Sequence, residues 1–125
     1  MFKGSCLCGA VTFEAAKTAK EAVACHCSQC RKVTGNFDVS VEVAKSYLTI
    51  HDTTSLRWYH TTKVRRGFCA TCGSHLFFDP PHLDWVGVAM GAFDAPTGVR
   101  LAQHIFCADK GDWYEITDGL PQNAQ

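Results

Sequence analysis

Residues 25–31, Cys-His-Cys-Ser-Gln-Cys-Arg, place three thiols within six consecutive positions of the chain. Two further cysteine pairs flank this stretch, Cys-Leu-Cys-Gly at 6–9 and Cys-Ala-Thr-Cys-Gly at 69–73. A structural zinc site takes four protein ligands, whereas a catalytic site takes three and leaves one position for water or substrate. The seven cysteines of these three groups therefore divide into a closed site and an open site.

The two outer pairs are assigned to the closed site because they share one design. Each pair is followed at once by glycine, which tolerates the positive φ that lets backbone amides point at sulfur. An unmetallated buried thiol would explain one such cysteine but not four. We expect two zinc ions per chain, a structural one and a second, catalytic one, with these ligands: Cys6, Cys8, Cys69 and Cys72 for the first, and Cys25, Cys27 and Cys30 for the second.

The length and the cysteine content predict one zinc-binding domain in a reducing compartment. We expect this domain to span residues 1–125, with a frayed tail at about 122–125. Eight cysteines in 125 residues fall below the density of a disulfide scaffold, and the start of the chain shows no apolar signal region. A cytoplasmic protein with metal-binding cysteines is therefore favoured over a disulfide-bonded one.

The charge balance argues against a nucleic-acid partner. Lys and Arg number 12 and Asp and Glu number 12, so the formal net charge is zero. Seven thiolates with two zinc ions would leave the holoprotein with about three negative charges. In addition, no stretch of the chain reaches the roughly 18 apolar residues of a membrane span. We therefore expect neither a nucleic-acid nor a membrane partner.

Alternating apolar and polar residues predict a mainly β domain. The clearest strand is 37–43, where Phe and Val alternate with Asp, Ser and Glu. Other strands are expected at 9–14, 22–24, 47–50, 56–60, 63–68, 74–78, 85–90, 104–107 and 113–117, separated by polar and Gly- or Pro-containing turns. A short helix is expected from Gln29 to Val33, capped by Ser28 and ended by Gly35. Cys30 then lies in its first turn, where the helix dipole favours a thiolate.

Several other residues have two interpretations. His26 should point away from the metal because neighbouring side chains of an extended segment face opposite ways, so ligation is the less favoured alternative. Cys107 lies in a predicted apolar strand and is interpreted as a small buried hydrophobe rather than a fourth ligand of the open site. Six basic residues could hold the carboxylates of an acidic ligand, although a solvated surface is favoured for each one: Arg31, Lys32, Lys63, Arg65, Arg66 and Lys110.

The cysteine motifs in this order resemble those of the glutathione-dependent formaldehyde-activating enzyme family. The motifs are Cys-x-Cys-Gly at 6–9, Cys-His-Cys-Ser-x-Cys-Arg at 25–31 and Phe-Cys-x-x-Cys-Gly-Ser at 68–74. The segments 104–106, His-Ile-Phe, and 119–121, Gly-Leu-Pro, together with Lys110, support the resemblance. It implies an Mss4-like fold of several bent antiparallel sheets with one short helix, and the same division of zinc ligands. It also implies carbon–sulfur lyase activity on S-hydroxymethylglutathione, which forms from glutathione and formaldehyde.

The expected chemistry of the open site is sulfur chemistry, because zinc held by three thiolates is a good thiolate acceptor. The partner would be a small thiol such as glutathione. A base is needed for the hydroxyl proton of the adduct, and the sequence offers four candidates: His26, Asp38, His75 and His104. Two other functions stay open. A non-catalytic module would close the site with a fourth protein ligand and bind a thiol or a protein, and a redox switch would release zinc as disulfides form within the cluster.

Overall fold

The computed structural model describes residues 1–51 and 54–125, which form ten β-strands and one α-helix. The strands, β1 to β10 in chain order, are Phe2–Ser5, Thr12–Ala15, Glu21–Cys25, Asp38–Ala44, Leu48–Ile50, Leu56–His60, Arg65–Cys69, His75–Asp79, Trp85–Ala89 and Arg100–Ile105. The helix α1 is Ser28–Thr34, and 3-10 helices lie at Lys45–Tyr47, Met90–Ala92 and Cys107–Asp109. The prediction of a mainly β domain with one short helix is confirmed.

The strands form two sheets. One has three strands in the order β1-β2-β5, and the other has seven in the order β10-β3-β4-β9-β8-β7-β6. Neighbouring strands are antiparallel except β10 and β3, which run parallel. The expectation of antiparallel sheets alone is therefore wrong at this pair. A parallel pair requires a long connection, and here the chain passes through β4 to β9 before it returns beside β3.

One face of the seven-stranded sheet forms the core with the three-stranded sheet. Val41 of β4 lies opposite Val88 of β9, which lies opposite Phe77 of β8, and all three side chains are buried. Phe77 packs edge-to-face on Phe13 of β2, with ring centroids 5.4 Å apart, and Phe13 packs in the same way on Phe93. These contacts between apolar side chains hold the two sheets together.

The other face of the same sheet is not a solvated surface but the floor of a cleft. The polar residues that alternate with the core valines of β4 point into this cleft, and residues from β7, β8 and β9 continue its floor. These floor residues are Asp38, Ser40, Glu42, Arg66, Phe78 and Trp85. The alternation in 37–43 therefore correctly predicts a strand, while its polar face serves a binding surface rather than bulk water.

The chain ends differ from the expectations. β1 was not predicted, and residues 113–117 form no strand in the described structure, because Tyr114 packs against His26 instead of joining a sheet. The tail at 122–125 was expected to fray, yet the Asn123 amide donates to the His104 carbonyl and the Cys107 amide donates to the Asn123 carbonyl, each at 2.9 Å. These bonds fix the tail beside the end of β10. The turn expected between 50 and 56 includes residues 52–53, which lie outside the described residues.

The helices of the described structure are short. None of them is both long enough and apolar enough to cross a membrane.

Candidate functional site

Four cysteine sulfur atoms meet where the first and the last cysteine turns come together. The Sγ atoms of Cys6, Cys8, Cys69 and Cys72, called here the four-thiol cluster, all lie within 4.8 Å of one another. Cys8 Sγ is 3.6 Å from Cys6 Sγ and 3.8 Å from Cys69 Sγ. Tetrahedral zinc with Zn–S bonds of about 2.3 Å places its sulfur ligands roughly 3.8 Å apart. The donor set and its spacing therefore fit a zinc ion.

The backbone of the two turns has the geometry expected from their glycines. Gly9 and Gly73 both have a φ of 80°, in the left-handed region that glycine adopts without strain. The Gly9 amide donates to the Cys6 carbonyl at 3.2 Å, and the Gly73 amide donates to the Cys69 carbonyl at 2.7 Å. The Val11 amide donates to Cys6 Sγ at 3.3 Å. The predicted positive φ of both glycines is confirmed, and in the first turn a backbone amide reaches a cysteine sulfur as expected.

Ser74 joins these two turns, a role that its place in the third cysteine motif did not reveal. Its Oγ accepts a hydrogen bond from the Leu7 amide at 3.0 Å and lies 3.1 Å from Cys72 Sγ. The hydrogen bond with Ser74, together with backbone amides, lowers the pKa of Cys72 to about 5. Since zinc binds thiolates, this contact prepares the sulfur for the metal. The sequence feature that could have indicated this role is the position of Ser74 directly after the Cys-Ala-Thr-Cys-Gly turn.

The second cluster lies at the junction of β3 and α1. Cys25 is the last residue of β3, Cys27 is the N-cap of α1, and Cys30 lies in the first turn of the helix. Their Sγ atoms, called here the three-thiol cluster, lie within 4.8 Å of one another. The helix ends at Gly35 as predicted, but the predicted cap was wrong. Cys27 Sγ rather than the Ser28 hydroxyl accepts the Cys30 amide, at 3.3 Å, because the sulfur occupies the position next to the free amides.

Two sulfurs of the three-thiol cluster shift each other's pKa in opposite directions. The hydrogen bond with Cys30 lowers the pKa of Cys25, and the hydrogen bond with Cys25, together with burial, raises the pKa of Cys30. A metal ion that binds here would displace the proton of a protonated thiol, so its affinity should depend on pH.

Among the described residues, three could bind a metal ion at this cluster: Cys25, Cys27 and Cys30. Cys107 is not one of them. It begins the 3-10 helix after β10 rather than lying in a strand as expected, and burial raises its pKa. Cys107 is half-buried, so the interpretation as a small buried hydrophobe is met only in part, and the residue lies outside the three-thiol group.

His26 turns away from the thiols, as expected, and enters a buried chain of hydrogen bonds. Its Nε2 is 2.8 Å from His104 Nδ1, and its Nδ1 is 3.2 Å from the Tyr114 hydroxyl. His104 Nε2 is 2.7 Å from Asp118 Oδ2. The hydrogen bond from His104 lowers the pKa of Asp118, and burial followed by the charge of His104 lowers the pKa of His26.

The direction of one bond in this chain is fixed, because an ionised Asp118 can only accept and His104 Nε2 therefore donates to it. The other two bonds form in either direction: neutral rings would have Tyr114 donate to His26 and His26 to His104, and a charged His104 would reverse both bonds. The His26 amide also donates to the Ile105 carbonyl at 3.0 Å. The residue between Cys25 and Cys27 is therefore fixed through its backbone and both ring nitrogens, which holds the two flanking thiols in place.

A cleft of about 1100 Å³ opens beside the three-thiol cluster. Cys25, Cys27 and Cys30 all line it, whereas the residues of the four-thiol cluster are absent from its described lining. Ligand cavities usually have volumes of about 300–1,000 Å³, so the cleft can hold a small molecule with room to spare. All three residues of the predicted open site therefore face this cleft. Of the predicted closed site, only Cys6 borders a cavity, a second and smaller one of about 490 Å³.

The structure also sorts the candidate bases. Asp38 lines the cleft, is 5% exposed and lies opposite Cys25 in the pairing of β3 and β4. Its Oδ1 is 3.5 Å from His75 Nε2. His26 and His104 lie in the buried chain instead. Asp38 is thus the candidate that the fold brings to the cleft, with His75 next to it.

The basic residues also fall into separate environments. Arg66 is buried and, like Lys63, lines the cleft. Arg65 pairs with Asp79 at 2.7 Å, and Lys110 donates to the carbonyls of residues 111 and 114. The surface interpretation is therefore wrong for Arg66, whose position the local sequence did not reveal.

The sequence of this chain is similar to those of known proteins. Residues 1–109 match the family model described as "Glutathione-dependent formaldehyde-activating enzyme". A protein of Halomonas elongata that is provisionally named as such an enzyme is 30% identical over 127 aligned positions, covering 93% of this chain and 81% of the relative.

The fold has a solved counterpart as well. A crystal structure of a Rhodobacter sphaeroides protein superposes with a TM-score of 0.63 at 24% identity, covering 80% of this chain and 99% of that one. This likeness concerns the fold alone, and the ten strands confirm the expected mainly β architecture. With the family model matching most of its length, the chain belongs to the glutathione-dependent formaldehyde-activating enzyme family.

Proposed function

We propose that the protein is a zinc-dependent carbon–sulfur lyase that interconverts a thiol adduct, such as S-hydroxymethylglutathione, with a thiol and an aldehyde. The observation that carries this proposal is that the three-thiol cluster lines a large cleft while the four-thiol cluster does not. Family membership supports the same class of substrate. A small-molecule thiol, glutathione first among them, is the proposed partner.

We assign a structural zinc ion to the four-thiol cluster and a second zinc ion to the three-thiol cluster. The donor sets fit, because close groups of thiols are the ligands that zinc prefers. When bound at the second site, zinc would supply Lewis acidity that favours the thiolate form of a substrate sulfur. A non-catalytic site would need a fourth protein ligand, and the described residues of this group number three.

Asp38 is the residue to which we assign the proton transfer. In the lyase direction its carboxylate takes the hydroxyl proton of the adduct. The carbon–sulfur bond then breaks, its electron pair stays on sulfur, and the aldehyde leaves as its C=O bond forms. In the reverse direction the thiolate attacks the aldehyde carbon and Asp38 returns the proton. His75, 3.5 Å away, orients the carboxylate.

The remaining assignments follow from the thiols. We propose that residues 1–125 act as one zinc-binding domain in the cytoplasm, where a reducing environment would keep the eight free cysteines available for metal.

The proposal can be tested by exchange NMR with ¹³C-formaldehyde and glutathione. The zinc-loaded protein should speed interconversion of the adduct, and Cys30→Ser should abolish the gain. Asp38→Asn should lower the rate by about 10²- to 10⁴-fold, the usual contribution of a general base. Cys107→Ser is the matched control and should retain the wild-type rate. A wild-type rate equal to that of buffer would contradict the proposal.

A further inference from the structure

Arg66 is a buried cation without a salt bridge in the described part of the chain. Its side chain belongs to β7, is 4% exposed and lines the cleft. Within residues 1–51 and 54–125 it forms no salt bridge to Asp or Glu, and its Nε has no hydrogen-bond partner. The neighbouring Arg65 differs, because it pairs with Asp79 and stacks on Trp58. Burying a guanidinium without a counter-charge is costly, so Arg66 needs a negative partner in the cleft.

The groups around the guanidinium show where that partner lies. Nη1 and Nη2 are each 3.9 Å from Cys30 Sγ, and Nη2 donates to Gln29 Oε1 at 3.2 Å. The guanidinium carbon lies 5.1 Å from the centre of the Phe78 ring, and Phe78 is also the cross-strand neighbour of Arg66. The planar donor fork is therefore fixed against the sulfur by the sheet and by Gln29.

The charge of the three-thiol cluster matches this cation. Three thiolates with one divalent zinc ion carry a formal charge of minus one, which one guanidinium neutralises. Adding an external thiolate would return the assembly to minus one instead of minus two. Without Arg66, an anionic ligand would have to join a centre that is already negative in a partly buried cleft, where such repulsion is poorly screened.

We propose that Arg66 is a positioning residue that supplies the counter-charge for an external thiolate at the three-thiol cluster. This inference rests on the proposed function, in which that cluster accepts the substrate sulfur. The proposed ligand is any thiolate, because Arg66 would balance the charge of the sulfur itself. Tighter thiol binding in the presence of Arg66 therefore does not require carboxylates on the ligand. A thiol without other charges is therefore the informative probe.

The test is a titration of cobalt-substituted protein with 2-mercaptoethanol, followed through the sulfur-to-cobalt charge-transfer absorption. Arg66→Gln should raise the Kd of the thiol by about ten- to a hundredfold, as expected for loss of a hydrogen-bonded charge. Arg66→Lys keeps the charge but not the fork, and should raise the Kd by a smaller factor. Lys32→Gln removes an equal charge from the exposed face of α1 and should leave the Kd within about twofold.

The outcomes separate this inference from the function on which it rests. A wild-type response to thiol with unchanged Kd in Arg66→Gln would overturn the role of Arg66 and leave the proposed function standing. No response in the wild type would overturn both. If Arg66→Gln fails to fold, Arg66→Met decides, because it removes the charge and keeps an unbranched apolar stem: a thiol Kd raised by about tenfold or more with two retained metal ions supports the inference, and a wild-type Kd overturns it.

Discussion

The two cysteine clusters contain the same chemical group in opposite settings. The four-thiol cluster takes its ligands from turns far apart in sequence and lies away from the cleft, so a metal there connects the start of the three-stranded sheet to β7 and β8. The three-thiol cluster takes its ligands from one stretch of six residues and lines the cleft. A long-range crosslink stabilises a fold, whereas a local cluster can lose its metal without releasing distant strands.

Supporting contacts differ in the same way. The first cluster relies on two glycine turns bridged by Ser74. The second is backed on one side by the hydrogen-bonded chain that starts at His26, and on the other by the guanidinium of Arg66. The difference teaches that ligand number alone does not set the role of a thiol cluster, because its connection to the fold and to the cleft also contributes.

The largest effect is expected when the four-thiol cluster loses a ligand. Structural zinc contributes about 10–16 kcal/mol of apparent binding free energy, whereas a domain has a net stability of about 5–15 kcal/mol. Cys72→Ser should therefore give insoluble or molten protein, measured by circular dichroism and soluble yield. Cys107→Ser removes a thiol outside both clusters and should fold normally. A folded Cys72→Ser protein with one zinc ion would contradict the structural role.

The next largest effect is confined to the second metal. Cys30→Ser should leave a native circular dichroism spectrum, because β3 and α1 stay paired with the rest of the sheet. Zinc content should drop from two ions to one, and thiol-dependent activity should vanish. Elemental analysis beside the spectrum provides the measurement. Unfolding as severe as that of Cys72→Ser would make the three-thiol cluster structural, and the non-catalytic module would replace the enzyme.

A smaller effect is expected from the support behind the second cluster. His26→Gln removes a ring bonded at both nitrogens, and loss of such support typically lowers metal affinity by about 10- to 100-fold. Competition with a chromophoric chelator should show this loss for the weaker zinc ion alone. The exposed His82 offers the control, since His82→Gln should change neither affinity. Equal weakening of both zinc ions would show that His26 supports the fold in general.

The smallest effect is expected at Asp79, whose ion pairs lie outside both thiol clusters. A substitution there tests the contribution of charge pairing to stability separately from that of metal binding. Burial raises the pKa of Asp79, but ion pairs with Lys45 at 2.9 Å and Arg65 at 2.7 Å outweigh it and lower the pKa overall. A lowered folded pKa contributes stability that is present above the unfolded value, about 3.9, and is lost as pH falls through the folded value.

Asp79→Asn should therefore lower the free energy of unfolding by about 1–2 kcal/mol at pH 7, since both cations are partly exposed and keep much of their hydration. Urea unfolding at several pH values would show the difference shrinking towards acid. The size of the effect should be the same after the second zinc ion is removed. A difference that grows in acid would have the wrong sign for this explanation.

Much of the fold and the grouping of seven thiols into two clusters could be predicted because their causes are local. Cysteine spacing and the following glycines indicated both clusters, and alternation of apolar residues indicated most strands. Strand β1 was not predicted because Phe2-Lys3-Gly4-Ser5 contains a single large apolar side chain, too few for a pattern of alternation. Gly4 is required there by close packing against Phe13 and the Ala92 carbonyl, which only the folded chain reveals.

The surroundings of the open cluster could not be predicted, since they depend on contacts between distant parts of the chain. Asp38 sits on the polar face of a strand, and alternation alone cannot tell a cleft from solvent. Tyr114 and Asp118 reach the ring network from a segment that looked like a strand and a turn. Arg66 lies next to Arg65 in sequence, yet the two point to opposite faces of β7 and meet different partners.

The contrast between the clusters is tested most directly by removing zinc stepwise from the wild-type protein with a chelator while recording released zinc and circular dichroism together. We expect two phases. The first zinc ion, from the three-thiol cluster, should leave with an unchanged spectrum, and the second, from the four-thiol cluster, should leave only as the fold is lost. Release of both ions in one step that coincides with unfolding, or a single bound zinc ion at the outset, would contradict the division into a structural and a functional site.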